Sequence, residues 1–253
     1  MTDESIDFGF QEVPRAAKAG RVRGVFDRVA SRYDRMNDAM SLGVHRVWKS
    51  MAVTRLNPQP GELLVDVAGG TGDMARRWLR QAEEKRARRG GEPARAVVCD
   101  INERMVLAGL DDRGEPGLHR TVGDAEALPF ADGCADAVCI SFGLRNVTDR
   151  AAALSEFHRV LKPGGRLAVL EFSTPPGKAF RAAYDAYSFA VIPRLGQAIA
   201  GDRDSYQYLV ESIRKFPLPA KLGAMMEEAG FREVRWSAYT GGVAVLHMGW
   251  KVT

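Results

Sequence analysis

Between Glu62 and Phe172 the chain repeats one pattern, a short run of β-branched and other apolar residues followed by a stretch with helical spacing. The runs are LLVDV (63–67), RAVVC (95–99), LHRTV (118–122), DAVCIS (136–141) and RLAVLEF (166–172). Such alternation marks βαβ units, because parallel neighbours need a crossover of a dozen or more residues and a helix supplies it. It predicts an α/β domain with a doubly wound, mostly parallel sheet. Two further runs close the chain, FREVRWSAY (231–239) and VAVLHMGWKV (243–252), separated by Gly241-Gly242. A tight turn there makes the final strand antiparallel to its neighbour, giving a seven-stranded sheet with its last strand antiparallel.

Outside this frame, residues 1–21 read as a polar arm. Residues 22–60 mix apolar and charged positions at helical spacing, broken by a turn-like Ser41-Leu42-Gly43, and are expected to form short helices. From 174 to 222 the pattern is helical again, with Pro193 interrupting one segment and Pro217 and Pro219 ending another. Residues 22–253 are therefore expected to fold as one domain, with 174–222 as a helical substrate or lid region before the last two strands.

Composition narrows the function classes. The net charge is only +4 over 253 residues, and its one basic run, Lys85 to Arg89, has no aromatic residues interleaved as a single-strand nucleic-acid platform would need. No nucleic-acid partner is expected. Cys99, Cys134 and Cys139 form no CxxC pair and no metal-ligand spacing with the four histidines, so they read as buried thiols of a reducing compartment, with no metal. The polar start lacks a signal-peptide pattern, and no apolar run approaches the roughly 18 residues of a membrane span. A cytoplasmic location is expected.

The segment LLVDVAGGTGD is the most informative. A buried strand ends in Asp66, and a loop containing Gly69, Gly70, Thr71 and Gly72 leads into a helix beginning near Asp73. Glycines here let backbone approach a ligand. Gly70 to Ala75 also satisfies the GxGxxA variant of the dinucleotide fingerprint, so two cofactors compete for one loop. Asp100, at the end of the second strand, suits ribose hydroxyls in either case.

Three features favour S-adenosylmethionine. Asp66 beside the loop suits a cationic amino acid moiety and would repel a pyrophosphate. Asp124 and Ala125, in GDAEALPF after the third strand, can offer a carboxylate and a backbone N–H to an adenine edge, as class I methyltransferases do. No tyrosine is followed by a lysine four positions on, so the usual short-chain dehydrogenase pair is missing. Bland readings stand beside these: Asp66 as a carboxylate that braces the loop or caps the helix, Asp124 as an Asx-turn residue. Their order after strands one, two and three favours a site, since open α/β sheets bind ligands at the carboxyl ends of strands.

Two longer segments, YDRMNDAMSLGVHRVW (33–48) and RVLKPGGRLAVLEFS (159–173), resemble the signature segments of the ubiquinone/menaquinone biosynthesis C-methyltransferases. The likeness extends to AGGTGD (68–73), GDAEALPF (123–130), SFGLRNVTD (141–149), YLVESIRKFP (208–217) and GGVAVLHMGWK (241–251). One departure is the charged stretch Gln81 to Ala94, which looks longer than is usual in that family. The resemblance implies a class I, Rossmann-like methyltransferase fold and S-adenosylmethionine binding through Thr71, Asp100, Asp124, Ala125 and Ser141. It implies a polyprenyl benzoquinol or demethylmenaquinol substrate, and leaves open a homodimer and association with other quinone-biosynthesis enzymes. Another small-molecule methyltransferase, or a non-catalytic cofactor-binding scaffold of such an assembly, are the competing readings.

For chemistry, Arg145 and Asn146 follow the fourth strand at the face where the methyl group should lie, and Arg145 could stabilise a developing phenolate. Tyr33 in the N-terminal segment could close over the site. His45 is expected to pack rather than react, and His158, beside the basic turn, to be a surface or helix-end residue. The aromatic-rich stretch 178–200, with interspersed arginines, reads as a core helix or as the wall of an isoprenoid tunnel that touches the membrane surface.

Overall fold

The computed structural model of the chain describes residues 5–29, 38, 41–110 and 114–253. The expected polar arm contains structure of its own. Ser5–Phe8 (β1) and Gln11–Pro14 (β2) pair antiparallel and reverse at Gly9, whose φ of 62° is the left-handed conformation a two-residue turn requires. The helix Arg15–Val29 (α1) follows directly, so helix starts seven residues before the expected boundary at 22. Local pattern could not show this: the apolar anchors of the hairpin are few, and Phe8 finds its partner, Tyr208, two hundred residues away.

His45–Leu56 (α2) leads into the sheet strands Leu63–Val67 (β3), Arg95–Asp100 (β4), Leu118–Val122 (β5) and Ala135–Ser141 (β6). Asp73–Arg89 (α3) and Glu103–Ala108 (α4) make the first two crossovers, and Arg150–Val160 (α5) joins β6 to Leu161–Phe172 (β7). The Lys162-Pro-Gly-Gly165 segment interrupts the pairing of β6 with β7 as a bulge between Ala135 and Ala137. The charged stretch from Gln81 is the outer end of α3, which stops at Gly90.

The helical insertion comprises Lys178–Ala186 (α6), a π-turn over Tyr187–Val191, Ile192–Ala200 (α7) and Arg203–Lys215 (α8). Pro193 sits in the first turn of α7, where its missing N–H costs nothing. Pro219–Glu228 (α9), Arg232–Tyr239 (β8) and Ala244–Trp250 (β9) complete the chain. The sheet order is β5-β4-β3-β6-β7-β9-β8, with β9 antiparallel to both neighbours, as expected of the last strand.

Covering a parallel sheet on both faces makes its strands apolar throughout. Alternate residues of β3 feed two separate cores: Leu64 packs with Trp48 and Trp78 on one face, Val65 and Val67 with Leu154 and Phe157 on the other. Strand order reverses between β3 and β6, and an open α/β sheet leaves a crevice at such a switch point. Both strands leave it through strained residues, Ala68 at φ 49° and Phe142 at φ 57°. A Cβ on Gly143 would lie 2.7 Å from that of Ala68, so glycine is what lets the two exits pass each other.

Candidate active site

A cavity of about 810 Å³, its open mouth included, lies over the carboxyl ends of β3, β4 and β6, within the usual size range of small-molecule sites. It brings together five of the residues singled out from sequence: Gly70, Asp100, Asp124, Ala125 and Asn146. Gly70, at φ 56°, could carry no side chain, because a Cβ would sit 2.9 Å from Met105 on the opposite wall.

Asp100 is the hub. One carboxylate oxygen accepts from the N–H of Gly70 at 2.9 Å, the other from the N–H of Asn102 at 2.9 Å. Burial raises its pKa while these two N–H bonds pull it down. A carboxylate offers about four lone-pair directions, so after these bonds it can still accept from a pair of vicinal hydroxyls. Asn102 caps α4 through Met105 N–H and donates from Nδ2 to Asp27 of α1 at 2.9 Å, tying α1 across the mouth.

The Asx-turn reading of Asp124 holds, since one oxygen accepts from Glu126 N–H at 2.9 Å, and the side chain remains exposed on the cavity wall. Glu126 in turn accepts from the N–H groups of Thr148 and Asp149, both at 2.9 Å, which fixes the wall beyond Asn146.

Five of the residues expected at the site, Asp66, Thr71, Gly72, Ser141 and Arg145, do not line this cavity. Asp66 is fully buried behind the loop, where one oxygen accepts from Ala75 N–H at 3.2 Å and the other from the Cys139 thiol at 3.2 Å. Its carboxylate therefore fills the anion position at the start of α3, which is where a dinucleotide would seat its pyrophosphate. These bonds match the alternative reading of Asp66, a carboxylate that braces the loop and caps the helix. Thr71 spends its carbonyl on Arg76 at 2.9 Å, and Gly72, at φ 90°, is the left-handed start of α3. Ser141 is buried at the end of β6.

Arg145 is completely buried, pairing through Nη1 with Glu171 at 2.6 Å and with the Phe142 carbonyl at 2.6 Å. Its Nε and Nη2 have no acceptor among the described residues. Tyr33 lies outside the described residues. His45 packs as expected, against the Ser41 hydroxyl at 2.9 Å, and His158 lies edge-on to Phe231 at 5.2 Å.

Sequence reasoning missed the roof of the cavity. Ala19, Val22, Arg23 and Phe26 of α1 close it from above. Their spacing marks one helix face, yet nothing local says where that face docks. Asn102 was open to detection, being an N-cap residue directly before an apolar helix. Charged residues on the wall are Arg23 against Asp100, Asp124 and Glu126, an acidic balance that favours a cationic ligand.

Burial lifts the Asp66 pKa to about 7. Unfolded aspartate titrates near 3.9, so between about pH 4 and 7 the native state binds more protons than the unfolded state, and stability declines as pH rises. Asp66→Asn, which keeps an acceptor for Ala75, is expected to flatten this decline, worth about 4 kcal/mol at most. Urea unfolding at a series of pH values reads it; an unchanged slope would assign the decline to other groups.

The profile of the ubiE/COQ5 methyltransferase family matches residues 15–251. This chain belongs to the ubiE/COQ5 methyltransferase family. It is 56% identical over 252 residues to a ubiquinone/menaquinone biosynthesis C-methyltransferase UbiE of Caulobacter vibrioides, covering 100% of both chains. A protein of the same description from Roseobacter denitrificans is 53% identical over 260 residues, again across 100% of each chain. Among solved structures, an S-adenosylmethionine-dependent methyltransferase from Thermotoga maritima superposes with a TM-score of 0.61 at 21% identity, covering 91% of this chain and 99% of that one. That likeness shows the fold, so the expected class I methyltransferase architecture of a ubiE/COQ5 member is present.

Proposed function

We propose that this enzyme transfers a methyl group from S-adenosylmethionine to a ring carbon of a polyprenylated quinol, a demethylmenaquinol, a methoxy-benzoquinol or both. The observation that carries the reading is the acid-lined cavity, beside a loop behind which Asp66 already occupies the N-terminus of α3. That arrangement accepts a nucleoside with a cationic arm and refuses a pyrophosphate. The Gly70 cradle, which any Cβ would fill, and the outward lone pairs of Asp100 fit a ribose, while Asp124 and the Ala125 N–H fit an adenine edge. S-adenosylmethionine supplies a sulfonium-bound methyl.

A quinol carbon becomes a stronger nucleophile as the ring hydroxyl loses its proton. Arg145, which follows the cavity-lining residue Gly143 and has a buried Nε and Nη2 without an acceptor among the described residues, is proposed to hold that oxygen as it gains charge. Transfer of labelled methyl from S-adenosylmethionine to each of the two quinols, run side by side, tests the proposal. Label in a ring is the expected result and identifies the substrate; label in neither, with cofactor bound, would overturn it.

An insoluble prenyl tail has to be met at a membrane. No helix among the described residues is long and apolar enough to cross one. The insertion does expose Phe180, Phe189 and Val191, and Phe10 of the N-terminal hairpin stacks on Phe189 at 6.1 Å. Lys178, Arg181 and Arg194 lie in the same insertion. Apolar side chains with basic neighbours suit an anionic bilayer surface. The enzyme is expected to float with vesicles containing anionic lipid, and Phe180→Ser with Phe189→Ser to reduce this; no flotation of the wild-type enzyme would rule the contact out.

A further inference from the structure

The hairpin β1–β2 lies before residue 15, where the family profile begins to match, yet it is fastened to α8 at three points. Asp7 pairs with Lys215 at 3.2 Å, the Phe10 N–H donates to Glu211 at 3.0 Å, and the Phe8 ring stacks on Tyr208 at 4.2 Å with 22° between planes. Gly9 admits no side chain at this seam, because a Cβ would fall 2.4 Å from the Glu211 carboxylate. The anchoring is directed at one residue of consequence. Tyr208 is buried, and its hydroxyl donates to Asn146 Oδ1 at 3.1 Å.

Asn146 lines the cavity. Its amide has one acceptor and two hydrogens, and a flip would exchange them. With the phenol donating to Oδ1, that oxygen faces Tyr208 and Nδ2 is turned away from it. Burial keeps the phenol neutral, its pKa pushed up to about 12.

We infer that Tyr208 is a positioning residue for methyl transfer, orienting the Asn146 amide so that its hydrogens face the cavity, and that the N-terminal hairpin holds Tyr208 in place through Phe8. A packing role alone would need only the ring. The hydroxyl, aimed at the one polar side chain of the short turn Leu144–Asn146 that lines the cavity, is what packing does not explain. The kinetic consequence rests on the reading of this cavity as the methyl-transfer site; the orientation of the amide does not.

The test is a double-mutant cycle joined to a direct view of the amide. Tyr208→Phe, which keeps the ring and its stack, is expected to lower kcat about tenfold in the wild-type background and less than about twofold in an Asn146→Ala background, since its effect passes through Asn146. Phe8→Ala is expected to lower kcat in the same direction by about threefold, and to add little to Tyr208→Phe. In the ¹⁵N-labelled enzyme, without acceptor, Tyr208→Phe should shift the side-chain amide resonances of Asn146. Equal loss of kcat in both backgrounds, or an unmoved Asn146 amide in the folded Tyr208→Phe protein, would overturn the inference. Because the amide measurement needs no quinol, a failure of the substrate assignment leaves it fully readable.

Discussion

Replacing Asp100 with alanine is expected to weaken S-adenosylmethionine binding by at least about a hundredfold and to lower stability by about 2–4 kcal/mol. Two losses combine. The N–H groups of Gly70 and Asn102 each lose their carboxylate acceptor, at 2.9 Å in both cases, in a buried setting where an unmet donor costs about 1–3 kcal/mol. On the proposed reading the same oxygens accept from the ribose hydroxyls, where a charged acceptor contributes more than a neutral one.

For a chain of this length that stability loss corresponds to a fall in Tm of roughly 5–15 °C. Calorimetric titration with S-adenosylmethionine and a thermal melt read the two effects separately. Asp100→Asn should fall between, because the amide retains one acceptor oxygen and offers donors where the second was. Cofactor affinity within about threefold of the wild type for Asp100→Ala would remove Asp100 from the site.

The sequence made the cavity floor legible because successive strand ends collect on one edge of a parallel sheet. Asp100 and Asp124 could be placed by counting strands. Counting failed where direction mattered. An acid near the end of β3 looks the same in sequence whether its carboxylate faces the ligand or turns under α3, and the bonds from Ala75 and Cys139 are what distinguish them. It failed again where the partner was remote. Arg145 reads as an available cation until Glu171, twenty-six positions away, is found against it. The roof formed by α1 and the clamp formed by β1 and β2 depend on docking between segments of opposite ends of the chain, which no local periodicity encodes.

Glu171→Ala is expected to destabilise the protein by about 3–5 kcal/mol, the usual cost of leaving a buried charge unpaired. Arg145 would keep only the Phe142 carbonyl at 2.6 Å and the Phe172 ring, 5.7 Å from the guanidinium carbon, as partners. The backbone N–H groups of Arg145 and Phe172, which also donate to Glu171, would lose their acceptor. Since Phe142 leaves β6 in a strained conformation at φ 57°, the cavity wall from Phe142 to Asn146 should loosen along with the fold. Removing both charges separates stability from chemistry. Arg145→Met combined with Glu171→Leu fills similar volume without burying a charge, and such replacements are often neutral to within about 1–2 kcal/mol. If Arg145 serves the developing phenolate, this double variant folds and binds cofactor but transfers no methyl. Should it retain wild-type turnover, the pair would be a brace for the strained loop and nothing more, and the ring oxygen would have to be held by another group.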